Sequence, residues 1–128
     1  MPEVINLKTH TDARGNLTVI EKVVPFDIKR IFYIYGVDHS LRGGHRHKKT
    51  IQGAVCIQGH CTIKSFDHDY DSGKTYDLND PSKLLILYPA DWHVMYDFSP
   101  DAILMVLASE YYDHKDYIFE KYKTSENN

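Results

Sequence analysis

From one end to the other this chain is written in short apolar or β-branched runs, each stopped by turn-forming residues. No long segment carries the i, i+3, i+4 apolar spacing of an amphipathic helix. Such a chain folds as an all-β sandwich or barrel. Candidate strands cover residues 4–7, 17–21, 31–35, 53–58, 61–66, 84–88, 94–98 and 103–108. Turn signals separate them at Asp12-Ala13-Arg14-Gly15, Arg42-Gly43-Gly44, Gln58-Gly59, Asp71-Ser72-Gly73, Asn79-Asp80-Pro81 and Ser99-Pro100-Asp101. The runs Leu84-Leu85-Ile86-Leu87 and Ile103-Leu104-Met105-Val106-Leu107 lack alternation, as expected of strands covered on both faces, one of them by a partner subunit. Residues 111–122 have room for a short helix at most, and residues from about 120 to 128 turn polar and are expected to fray.

At 128 residues, with no repeat or linker, the chain is expected to be a single domain spanning 1–128. Fifteen Lys and Arg against eighteen Asp and Glu leave a net charge of −3, so no global positive field draws in a nucleic acid or an anionic membrane. An anionic ligand must be held locally. Cys56 and Cys61 alone build neither a disulfide framework nor a four-cysteine zinc site. Met1 to His10 lacks a basic, apolar leader, and no run approaches the roughly 18 apolar residues of a membrane span, so the expected address is the cytoplasm.

The stretch from Gly44 to Gly59 carries the most chemistry, because His45 and His47 stand two apart on chain that enters a strand. On an extended backbone i and i+2 project from one face, so both imidazoles point into one space, and Gln52 joins them if its register allows. Arg42, Arg46, Lys48 and Lys49 surround the pair. Like charge favours neutral imidazoles, the form that accepts a proton near neutral pH. The same cations form either a solvated loop or a phosphate-binding rim. Pro89-Ala90-Asp91-Trp92-His93 then brings a third histidine to a strand junction.

His45-x-His47, Gln52 and Gly59 resemble the first motif of the cupin superfamily, with Gln where the metal-binding pattern has Glu. Pro89-x-Asp91-x-His93 departs from the second motif, and a neutral amide is a poorer ligand than a carboxylate for a divalent cation. A closer resemblance covers almost the whole chain, to the cupin-type sugar-nucleotide 3,4-ketoisomerases acting on dTDP-4-dehydro-6-deoxy-D-glucose. It is carried by Asp12-x-Arg14-Gly15-x-Leu17, Ile20-Glu21, Pro25-Phe26-x-Ile28-Lys29-Arg30, Arg42-Gly43-x-His45-x-His47-Lys48-Lys49, Trp92-His93, Tyr96-Asp97-Phe98 and Val106-Leu107-Ala108-Ser109-x-Tyr111-Tyr112-Asp113. Thr50, Ile51, Gly53-Ala54 and Val94 depart from the commoner choices.

The resemblance implies a cupin jelly-roll barrel that takes a dTDP-linked 4-keto-6-deoxyhexose, needs no cofactor and no metal, and forms a homodimer. Moving the ketone from C4 to C3 requires removal of the C3 proton, an enediol or enediolate, and return of a proton to C4. On this reading His47 or His45 is the base, and the other imidazole, with Tyr35 or His93, moves protons between the sugar oxygens. Arg42 and Arg14 are expected on the diphosphate, and Gln52 orients a histidine or touches the sugar. Arg30 is set aside as an ion-pair partner for Glu21 or Asp27. Alternatives are 3,5-epimerisation of the same sugar, a metal-dependent, oxygenase-like cupin ligating through His45, His47 and His93, and a cupin that binds sugar nucleotides without turnover.

Overall fold

Alternating burial along the strands sorts the apolar side chains into two layers, and the polar ones left between them define the site. The computed structural model describes residues 1–68 and 73–123. Its strands are β1 (Glu3–Asn6), β2 (Lys8–Asp12), β3 (Gly15–Val19), β4 (Arg30–Ile34), β5 (Arg42–His47), β6 (Gln52–Gln58), β7 (Cys61–Asp67), β8 (Lys74–Leu78), β9 (Lys83–Leu87), β10 (Asp91–Tyr96), β11 (Ile103–Ala108) and β12 (Tyr117–Ile118), with one 3₁₀ turn at His114–Asp116. One five-stranded sheet runs β1-β9-β6-β11-β4, a second runs β12-β5-β10-β7-β8, and β2 with β3 forms a separate hairpin. The jelly-roll expectation holds. No described helix is long and apolar enough to cross a membrane.

Between the sheets, Ala54, Cys56, Cys61, Ile63, Leu78, Leu85, Leu87, Met95, Phe98, Leu104 and Val106 form one buried cluster. Burying each large member stabilises the fold by roughly 1.5–3 kcal/mol. Val55, Leu84, Ile86 and Leu107 point the other way and are covered by the chain's own Leu7, Ile20, Val23, Val24 and Phe26. The Leu84–Leu87 run is therefore covered on both faces by the chain itself, whereas Ile103 and Met105 of the other run line an open apolar groove. Tyr33, Tyr35, Ile57 and Ile31 remain exposed beside it.

Every candidate strand of the sequence appears; β2, β8 and β12 are additional, and β5 is the extended segment expected to carry His45 and His47, begun earlier than expected. β2 is Lys-Thr-His-Thr-Asp with every residue exposed, so it lacks an apolar period. Arg42-Gly43-Gly44 is not a turn but the start of β5, where Gly43 and Gly44 take φ of +83° and +80°. A Cβ on Gly43 would stand 3.0 Å from the His93 carbonyl, so glycine lets the two strands close up. Residues 111–122 hold the 3₁₀ turn and β12, within the expectation of a short helix at most. The Tyr122 hydroxyl donates to the Ala90 carbonyl at 2.6 Å and fastens the chain there. Asp71 and Ser72 of one turn signal, and positions 124–128 of the polar tail, lie outside the described residues.

Candidate active site

One end of the space between the sheets is apolar; the other is lined by imidazoles. In register, His45 on β5 lies opposite His93 on β10, which lies opposite Ser65 on β7, so these side chains share the inward face in one row. The ring centres of His45 and His47 are 4.9 Å apart and those of His45 and His93 are 5.0 Å apart, both edge-to-face. Tyr117 on β12 completes the group at 4.7 Å from His45 and 4.6 Å from His47. The bulge at Gly43-Gly44 adds one residue to β5, which brings Arg42 opposite Met95, an inward-facing position at the exposed rim.

A facing row comes from the other sheet. Ala108 pairs with both Arg30 and Gln52, so Arg30 and Gln52 present their side chains to the same interior. Gln52 is buried. The Arg30 guanidinium lies 4.6 Å from the Phe32 ring centre and 5.4 Å from that of Tyr112, and no ion pair to Glu21 or Asp27 forms. Arg30 therefore belongs to the interior cluster from which the sequence reading had set it aside.

Each histidine is held differently. His47 Nδ1 stands 2.9 Å from Asp116 Oδ2, and both side chains are buried. Because Asp116 also accepts from Lys49 N–H at 2.9 Å and from the Thr50 hydroxyl, its carboxylate is ringed by donors. Burial alone would push that carboxyl up; these hydrogen bonds together hold it below its ordinary value. Nδ1 of His47 thus carries the proton, and the buried Nε2 is a lone pair with no hydrogen-bond partner. His93 Nδ1 donates to the Asp91 carbonyl at 3.0 Å, which leaves its own buried Nε2 unpartnered as well.

Burial, reinforced by the neighbouring His93, pushes His45 down to about 4, and burial does the same to His93. His47 is lowered by burial and by His45, against the upward pull of Asp116. All three imidazoles are neutral at physiological pH. The sequence had credited surrounding Lys and Arg with this; desolvation is the main cause, and Arg30 adds to it at His47.

The structure does not bring every expected residue here. Tyr35 is 68% exposed on the outer face of the first sheet, stacked on Tyr33 at 5.7 Å. Tyr117 supplies the phenol beside the imidazoles instead. Arg14 sits at the tip of the β2–β3 hairpin, paired with Asp12 at 2.7 Å. Trp92 turns away from the histidines into a surface groove of about 840 Å³ on the outer face, its Nε1 donating to the Phe119 carbonyl at 3.1 Å. Asp116, Thr50, Tyr117, Arg30 and Ser65 were all missed. Only the clustering of Tyr111, Tyr112 and Asp113 within the quoted resemblance hinted that the end of the chain returns to the site.

Among the described residues, no three His, Cys, Asp or Glu side chains are placed to hold one metal ion. The arrangement presents neutral lone pairs, a phenol and a guanidinium to one interior, which suits moving protons on a bound polar molecule.

Comparison with known proteins places this geometry among relatives. A family model described as "FdtA: WxcM-like, C-terminal" matches residues 1–127. The chain is 44% identical, over 94% of its length and 91% of the relative's, to the TDP-4-oxo-6-deoxy-α-D-glucose-3,4-oxoisomerase of Aneurinibacillus thermoaerophilus. It is similar to a double mutant of the QdtA 3,4-ketoisomerase of Thermoanaerobacterium thermosaccharolyticum in complex with TDP, with a TM-score of 0.88 and 46% identity over 93% of this chain and 87% of that one. A histidine-to-asparagine mutant of QdtA, in complex with TDP-4-keto-6-deoxyglucose, matches with the same TM-score and coverage at 43% identity.

Proposed function

We propose, on the premise that this chain belongs to the FdtA, WxcM-like family, that it moves the keto group of TDP-4-keto-6-deoxyglucose from C4 to C3. It is a sugar-nucleotide 3,4-ketoisomerase with the cupin jelly roll, acting in deoxysugar biosynthesis. The observation that carries the mechanism is the row of neutral imidazoles turned inward, with His47 locked by Asp116.

His45 is the base. It lies at the centre of the ring cluster and is only half-buried, so substrate can reach it, whereas His47 stands behind it, 4% exposed. His45 takes the proton from C3, the C–H electrons form the C3=C4 bond, and the former C4 carbonyl oxygen becomes an enediolate oxygen. That oxygen gains a proton, the C3 hydroxyl loses one as C3=O forms, and C4 receives a proton from the charged imidazole. His47, His93 and Tyr117 move protons between the two oxygens. Arg30 faces the developing enediolate, and Gln52 hydrogen-bonds the sugar.

Arg42, at the rim, receives the diphosphate. Arg14, exposed at the tip of the β2–β3 hairpin, is assigned to the site of a second copy, and the reading therefore includes a homodimer. The exposed apolar groove lined by Tyr33, Tyr35, Ile57, Ile103 and Met105 supports it. Two free buried thiols, Cys56 and Cys61, suit a reducing cytoplasm.

Incubation with TDP-4-keto-6-deoxyglucose, followed by NMR of the sugar carbons, tests the activity. A 3-keto product is expected; bound but unchanged sugar would leave only a binding protein, and inversion at C3 and C5 would make it an epimerase.

A further inference from the structure

Asp116 is gripped by three consecutive residues of the connection that leaves β5. The backbone N–H of Lys48 donates to its carbonyl at 2.9 Å, that of Lys49 donates to Oδ1 at 2.9 Å, and the Thr50 hydroxyl donates to Oδ2. Two of these donors are backbone and belong to any sequence. The third is a side chain, 6% exposed. Its partner, Oδ2, is the atom that accepts His47 Nδ1–H.

A carboxylate fixed only through Oδ1 can still swing its second oxygen, and His47 would then lose the acceptor that decides which ring nitrogen carries the proton. We propose that Thr50 is a positioning residue of the isomerase: its hydroxyl pins Asp116 Oδ2 so that His47 keeps the Nδ1–H tautomer and turns a bare Nε2 toward the interior. The proposal rests on the isomerase reading for its effect on turnover, but not for its effect on the imidazole. The hydroxyl touches no inward-facing group of the sugar site; it acts through Asp116. Removing it also leaves one face of a buried anionic oxygen without a donor, which loosens the carboxylate further. Nothing else on the described chain bonds Oδ2.

The test is nitrogen NMR of ¹⁵N-histidine-labelled protein at neutral pH without substrate, together with steady-state kinetics, on Thr50→Val, Thr50→Ala and Thr50→Ser. In the parent and in Thr50→Ser, His47 is expected as the Nδ1–H tautomer alone. In Thr50→Val and Thr50→Ala it becomes a mixture of tautomers, kcat falls roughly tenfold and KM changes by less than about twofold. A parent-like tautomer and kcat in both hydroxyl-free variants overturns the proposal, as does a Thr50→Ser variant that behaves like Thr50→Val. If the parent shows no isomerase activity yet the tautomer mixture appears as stated, the functional reading fails and the positioning role stands.

Discussion

Nδ1 of His47 lies 2.9 Å from Oδ2 of Asp116, a residue 69 positions further along the chain, and both groups are buried. The contact ties the end of the domain to the strand that carries the candidate base. It also converts a symmetric ring into one with a defined donor and a defined acceptor.

Asp116→Asn keeps the shape of this contact and removes its charge. An amide can offer His47 either its oxygen or its NH₂, and the NH₂ would select the wrong tautomer. The variant is expected to lose kcat by roughly a hundredfold or more, while TDP binding, measured calorimetrically, stays within about twofold of the parent.

Arg30 meets aromatic rings on two sides, and its charge depresses His47. Arg30→Met preserves much of the apolar stem and removes the cation. It is expected to lower kcat/KM by roughly tenfold to a hundredfold through lost stabilisation of the enediolate. Arg30→Lys should recover only part, since a lysine cannot lie flat between two rings.

Acid should unfold the protein earlier than a surface-histidine protein of its size. His45 and His93 have folded-state values of about 4 against an ordinary 6.5, so below pH 6.5 the unfolded chain binds more protons than the folded one. The stability contributed by keeping them neutral is full above about 6.5 and is lost progressively as pH falls toward 4, by an amount on the order of a few kcal/mol. Urea denaturation between pH 7.5 and 4 should show a falling midpoint; a midpoint flat down to pH 5 would contradict the burial of these rings.

Much of this was legible in the sequence, and the omissions have physical reasons. The His45-x-His47 spacing put both rings on one face because period two holds along a regular extended segment, and the bulge of β5 lies before His45. Tyr35 was misplaced for the same kind of reason. Within Ile31-Phe32-Tyr33-Ile34-Tyr35 alternation defines two faces but not which is inward, and the apolar Phe32 and Ile34 took the core. The start of β5 was hidden by its paired glycines, which signal a turn locally but make a bulge when a neighbouring strand closes on them. Asp116 and Tyr117 reach the site only through long-range pairing of β12 with β5, which no local pattern encodes.

The exposed face around Met105 offers a test of assembly. Met105→Lys places a charge beside Tyr33 and Ile103 on that face. The parent is expected to sediment as a dimer and the variant as a folded monomer; a parent that sediments as a monomer at micromolar concentration would remove the second copy, and with it any role of Arg14 at a sugar site.

The most direct measurement follows the C3 proton itself. Chelator-treated protein is incubated with TDP-4-keto-6-deoxyglucose in deuterated water, and the C3 proton signal and the sugar carbons are followed by NMR. The parent should lose the C3 proton as a 3-keto product appears carrying deuterium at C4, and folded His45→Asn should do neither at a measurable rate. A His45→Asn protein that turns over and exchanges at the parent rate would contradict the central claim that this imidazole removes the proton.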